Sequence, residues 1–109
     1  DKWRSGMKKI IARKRYDTTT ATLIAEWRNG LGGNDFRNCA EDLYRTAGGA
    51  FFIHGDGGAM TRWSRAVGDM TGGGEGIEPL TEGEALEWCE EHGRNDVIEA
   101  HFGSLLTDA

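Results

Sequence analysis

"EDLYRTAGGAFFIHGDGGAMTRW", residues 41 to 63, decides the architecture of this 109-residue chain. Within and just before it, the runs "AEDLYRT" (40–46) and "AFFIHG" (50–55) flank an Ala-Gly-Gly turn. Two such runs separated by three turn residues that include Gly read as a β-hairpin. Side chains alternate across a strand, so only one of Phe51 and Phe52 is expected to face a core. Leu43 then shares a face either with Phe51 and Ile53 or with Phe52, depending on register.

Outward from this hairpin the chain continues as strands on the N-terminal side. "KKII" (8–11) begins a strand, and "RKRYD" (13–17) is a turn or its short return, without a turn glycine of its own. "TTTATLIAEWRN" (18–29) predicts a strand, because the Thr run favours extended backbone and Leu23, Ala25 and Trp27 alternate onto one face. "GLGGND" (30–35) is a loop.

On the C-terminal side, "DGGAMTRWSRAVGDMTGGGEG" (56–76) reads as a long loop, with a short strand or helical turn from Met60 to Val67. "IEPL" then leads into "TEGEALEWCEEHG". Thr81 with Glu84 three residues on is a capping box, which predicts a helix start. Ala85, Leu86, Trp88 and Cys89 form its apolar stripe, and Gly93 suits the position just past its end. Asp96 with Glu99 repeats the pattern and predicts a second short helix ending at Gly103. The expected fold is α+β: a meander of about four antiparallel strands, then two C-terminal helices on one sheet face. Trp27, Leu43, Ile53, Leu80, Leu86, Trp88, Ile98 and Phe102 are its expected core. Residues 1–6, "DKWRSG" with Trp3, read as vector-derived, residues 7–106 as a single domain and 107–109 as a tail.

Composition narrows the function. Leu, Ile, Val and Phe make up 19 of 109 residues, under the fraction of about 20% that marks a chain short of core. Four Trp and two Tyr offset this with large buried areas. No apolar run reaches the roughly 18 residues of a membrane span, and no secretory leader pattern is present, so a cytoplasmic protein is expected. Cys39 and Cys89 lack paired spacing and read as reduced thiols. Charge is uneven: residues 7–74 carry 10 basic and 7 acidic groups, and residues 75–109 carry one basic and 10 acidic groups. This is a mildly basic body with a strongly acidic last third.

Candidate chemistry is sparse. The glycine stretches lack both the Gly-x-x-x-x-Gly-Lys-Ser/Thr spacing and the Rossmann context, so they read as turns. His54 as a general base would need an orienting acid and a nucleophile; Asp56 and Ser64 are the nearest candidates, with nothing to fix their geometry. Cys89, His92 and His101 could contribute to a zinc site, but Cys89 lies on the apolar stripe and the spacing is not that of structural zinc. The carboxylates of the C-terminal helices look solvated, and ordinary acidic pKa values do not serve acid catalysis near pH 7. A non-enzymatic protein without metal, nucleotide or flavin cofactor is therefore expected.

The order "MKKI…KRYDT.TA", "DF…EDLYRT..GAFFIHGDGGAMTRW" and "G.I.PLT..EALEW.EEH" resembles a set of small uncharacterised proteins from phages and integrative or conjugative elements, across nearly all of residues 7–109. The resemblance implies a mobile-element accessory protein and no catalytic residues. By analogy of habitat it implies binding to a host protein, with inhibition of a host defence system such as CRISPR-Cas (an anti-CRISPR-like role) as one use. Arg62, Trp63 and Arg65 on the glycine-rich loop, and Glu82, Glu87, Glu90 and Glu91 on the acidic helix, are the expected partner contacts, since Trp and Arg dominate binding hot spots. The alternative is a nucleic-acid-binding protein using Lys8, Lys9, Arg13, Lys14 and Arg15 of the N-terminal strands.

Overall fold

A computed structural model of the chain describes residues 6–32 and 34–109. Residues 1–5 of the segment read as vector-derived, Trp3 among them, lie outside the described residues. The fold is α+β. Strands β3 (Thr22–Arg28), β4 (Cys39–Arg45), β5 (Phe51–Gly57) and β8 (Gly74–Leu80) form an antiparallel sheet in the order β3-β4-β5-β8. Helices α1 (Glu82–Glu91) and α2 (Asn95–Phe102) follow, and a 3-10 turn spans Gly103–Leu105. Two further hairpins stand apart from this sheet: β1 (Lys8–Ile11) with β2 (Lys14–Asp17), and β6 (Arg65–Val67) with β7 (Met70–Gly72).

The central hairpin forms as its sequence predicts, in the register Leu43↔Ile53 and Tyr44↔Phe52. Leu43 therefore shares its face with Phe51 and Ile53. The expectation that only one of Phe51 and Phe52 meets a core is corrected, because both are buried. The sheet has a core on each side. Phe51 joins Leu43, Ile53, Ala85, Trp88, Cys89, Ile98 and Phe102 under the helices. Phe52 packs with Tyr16, Tyr44 and Ile77 on the other face, beneath the β1–β2 hairpin. Tyr44 stacks on Phe52 at 5.1 Å, and Tyr16 meets the Phe52 ring edge-on at 5.6 Å. A second layer, supplied by the N-terminal hairpin, removes the need for one phenylalanine to face water. Of the expected core, Trp27, Leu80 and Leu86 prove only partly buried at its rim.

Four local readings are corrected. The strand read over 18–29 begins at Thr22, because the Asp17 carboxylate accepts hydrogen bonds from the Thr19 N–H and hydroxyl (2.9 and 2.7 Å) and folds the Thr run into a turn. Leu23, Ala25 and Trp27 do not share one face: a bulge between Leu23 and Ala25 pairs Leu23 with Tyr44 and Ala25 with Leu43, so Leu23 turns outward. The stretch 56–76 is not one loop, since it carries β6, β7 and the start of β8. Glycines and Pro79 disguise β8, which tolerates them as an edge strand. Finally, α2 starts at Asn95 behind Arg94 with no side-chain cap, so the Asp96–Glu99 pattern is not a capping box. The first helix starts as predicted: Thr81 Oγ1 accepts from Glu84 N at 3.1 Å and Glu84 Oε1 accepts from Thr81 N at 2.8 Å. Gly93, at φ +65°, ends it.

Candidate functional site

Glu41 organises the helix-covered face. It lies on β4 with only 4% of its surface exposed, and both carboxylate oxygens are occupied. Oε1 accepts the indole N–H of Trp88 and Oε2 that of Trp63, each at 2.8 Å. Arg62 Nη1 stands 3.6 Å from Oε2, while its Nη2 donates to Glu78 on β8. The Arg62 guanidinium also lies over the Trp63 ring, 4.7 Å from its centroid. Burial disfavours the Arg62 cation, yet Glu78 and Glu41 outweigh this and hold its pKa above the ordinary value. The network continues through Trp88 to His92, which meets that ring edge-on at 4.5 Å and stacks on Trp27 at 4.4 Å.

Sequence explains how Trp63 reaches this place. A Cβ on Gly55 would stand 2.1 Å from the Trp63 ring, so the indole lies directly on the backbone of β5, where no larger residue fits. Trp63 is thus half-buried against the core, with its one polar atom satisfied. Of the loop residues expected to meet a partner, Arg62 is half-exposed and ion-paired, Trp63 is packed, and Arg65 is exposed on β6. Glu82, Glu87, Glu90 and Glu91 are all exposed on α1, the last three on the side away from buried Ala85, Trp88 and Cys89 and Glu82 in the first turn.

The end of the sheet beyond Cys39, Gly57 and Gly74 is apolar and open. Phe36, Met60, Val67 and Met70 are 67%, 70%, 55% and 75% exposed. Met60 N donates to Phe36 O at 2.8 Å, and Val67 pairs with Met70 across the β6–β7 hairpin. Beside Phe36 runs a cleft of about 470 Å³, lined also by Asn34, Asp35, Asn38, Asp56 and Thr71 and by the glycine-rich backbone of 57–58 and 72–74. The sequence predicts a short strand or helical turn from Met60 to Val67, and β6 falls within it, but it does not announce Phe36, single in "NDFRN", or the pairing of Val67 with Met70.

The histidines go to separate places. His54 Nε2 lies 3.0 Å from Glu75 Oε2, on the sheet face opposite Glu41, and among the described residues it has no hydrogen bond to Asp56 or Ser64. Cys89 is buried in the helix-side core with its thiol pKa pushed up to about 11 by burial. His92 stacks on the tryptophans, and His101 lines a cleft near Thr22 and Arg45. Among the described residues no three His, Cys, Asp or Glu side chains converge as metal ligands. Nor, among the described residues, is any helix long and apolar enough to cross a membrane. No protein-family model matches the chain, and neither a curated protein nor a solved structure does.

Proposed function

We infer that this is a non-enzymatic protein-binding domain whose partner docks on the apolar end of the sheet. The observation that carries this reading is the exposure of Phe36, Met60, Val67 and Met70 at this end of the sheet, where Phe36 lines an open cleft. Folded domains rarely leave several large apolar side chains together in water unless a surface covers them. Addition of a strand from the partner is disfavoured. The outer strand β8 carries Pro79, and β3 carries a bulge and has its Glu26 carbonyl engaged by Arg94. Exposed Arg65 borders the apolar end, and the acidic face of α1, with Glu82, Glu87, Glu90 and Glu91, offers a second polar surface. The mobile-element resemblance makes the partner a host protein, and inhibition of a defence component such as a CRISPR-Cas effector is the use it suggests.

The test is a double variant, Phe36→Ser with Met60→Ser. Both side chains are exposed, so the thermal melt stays within a few degrees of the parent. Partner capture from a bacterial extract carrying CRISPR-Cas is expected to fall at least tenfold. Equal capture by parent and variant overturns the reading. So does a parent that is a dimer in sedimentation and becomes monomeric in the variant, because the apolar end is then a self-contact.

A further inference from the structure

We propose that the opposite end of the molecule, where the tip of the β1–β2 hairpin meets the β4–β5 turn, is a site for the phosphodiester backbone of nucleic acid. It lies a strand's length from the apolar end and does not depend on the protein-binding reading. Three observations converge on it.

The first is an accumulation of exposed cations. Lys9, Arg13, Lys14 and Arg15 are exposed, and no ion pair among the described residues involves them. The hairpin's one carboxylate, Asp17, is hydrogen-bonded by Thr19, faces Lys8 across the ladder and offsets only part of the charge of Lys8 and Arg15.

The second is an open cleft of about 400 Å³ between hairpin and turn, lined by Lys14, Arg15, Thr20, Thr46, Ala47 and Gly48 among others. The N–H groups of Ala47 and Gly48 make no backbone hydrogen bond among the described residues. The adjoining cleft holds Arg45 and His101. Neither cleft is lined by a carboxylate, although the chain has 18 acidic residues and a net charge of −5. Cations, hydroxyls and free amides without acids are the donor set that phosphate oxygens take.

The third is the turn itself. Ile11 pairs with Lys14, so Ala12 and Arg13 form a two-residue loop, and both are left-handed, at φ 50° and 67°. Asn and Gly are the residues such a loop favours. This chain instead holds an arginine there, at the tip, in a conformation that costs stability. Strain retained at a charged, solvent-facing position points to a role outside the fold.

The ligand follows from what the end lacks as well. Tyr16 lines the cleft but is only 6% exposed, and Tyr44, Phe51 and Phe52 are buried as well, so little ring surface is offered there for base stacking. Backbone phosphates are bound without reading bases, and a two-stranded ribbon suits a duplex groove. Duplex DNA, with its higher charge density, is expected to bind more tightly than a single strand.

The experiment is fluorescence anisotropy with a labelled 20-base-pair DNA duplex, its single strand, and ATP as competitor, over a salt series from low to physiological. Parent protein is expected to bind the duplex at low salt and to weaken as salt rises. Lys14→Glu with Arg15→Glu is expected to lose at least tenfold and to lower the salt slope by roughly two, at about 0.9 per phosphate contact. Arg65→Glu, at the other end, makes half that charge change and should fall less than threefold. Arg13→Gly separates this role from a structural one: amide exchange over residues 8–17 slows while duplex affinity falls. No duplex binding at low salt overturns the proposal, as do equal losses in the Arg65 variant. ATP binding without oligonucleotide binding also overturns it, assigning the cleft to a small phosphate.

Discussion

At the scale of single residues, Glu41 ties β4 to Trp63 and to helix α1. A buried carboxylate is costly unless charge-assisted hydrogen bonds replace its water. Two indole N–H groups and a nearby guanidinium do that here. Glu41→Leu leaves both indoles without an acceptor and is expected to cost about 3–5 kcal/mol in a urea melt. Glu41→Gln keeps one carbonyl but turns an amide N–H₂ toward the other indole, and is expected to cost about 1–3 kcal/mol. A Leu variant as stable as the parent would show that the network contributes nothing. His92, one ring further along, gives a pH test. Burial lowers its pKa below the ordinary value, and Arg94 adds to this against the opposing pull of Glu41 and Glu91. The neutral ring is therefore the folded form. Its contribution is complete above the unfolded-state pKa of about 6.5 and is lost as pH falls through the folded-state value. The melting temperature of the parent is expected to drop more between pH 7 and 5 than that of His92→Phe, which keeps a ring on Trp27. Parallel pH curves would remove His92 from the account.

At the scale of elements, α1 was legible because its signals are local. Thr81 and Glu84 cap each other within one turn, and Ala85, Trp88 and Cys89 repeat at helical spacing. The hairpin of β4 and β5 was legible for the same reason. Elements defined by distant partners were not. Strand β8 is glycine, glutamate and proline at five of seven positions, and it becomes a strand only because β5 offers it an edge. The bulge at Leu23–Ala25 needs the β4 register, which no residue of β3 announces. Helix α2 starts without a capping side chain and is held instead by Ile98 and Phe102 in the core. The Glu41 network escaped notice because its members are 22 and 47 residues apart. Stability should divide along these lines. Thr81→Ala removes one cap and is expected to cost about 1 kcal/mol. Trp88→Ala removes a buried ring together with a Glu41 donor, and about 3–5 kcal/mol is expected, enough to unfold a domain this small. An unchanged melting temperature for Trp88→Ala would contradict its place in the core.

At the scale of the whole molecule, the sheet divides two unequal layers. Among the described residues, the helix side holds nine buried core residues. The hairpin side holds four, of which only Tyr16 comes from the hairpin itself. The β1–β2 hairpin adds its own ladder and the bonds between Met7 and Thr18, but it carries a left-handed turn without glycine and a row of exposed cations. A layer anchored by one buried ring, with partly buried Met7 and Ile11 beside it, should open on its own, as a cooperative unit of lower stability than the sheet. Tyr16→Ala removes that anchor. Amide exchange is then expected to rise by at least tenfold over residues 8–17, while β4 and β5 keep their protection. The far-ultraviolet helix signal and the main melting transition should change little, since Leu43, Ile53, Trp88 and Phe102 lie on the other face. Because the cations ride on this hairpin, the same variant should also weaken duplex DNA binding by loosening the geometry of the cleft with Thr46. If exchange instead rises equally across β4, β5 and both helices, the two layers unfold as one, and the hairpin is part of the fold's cooperative core.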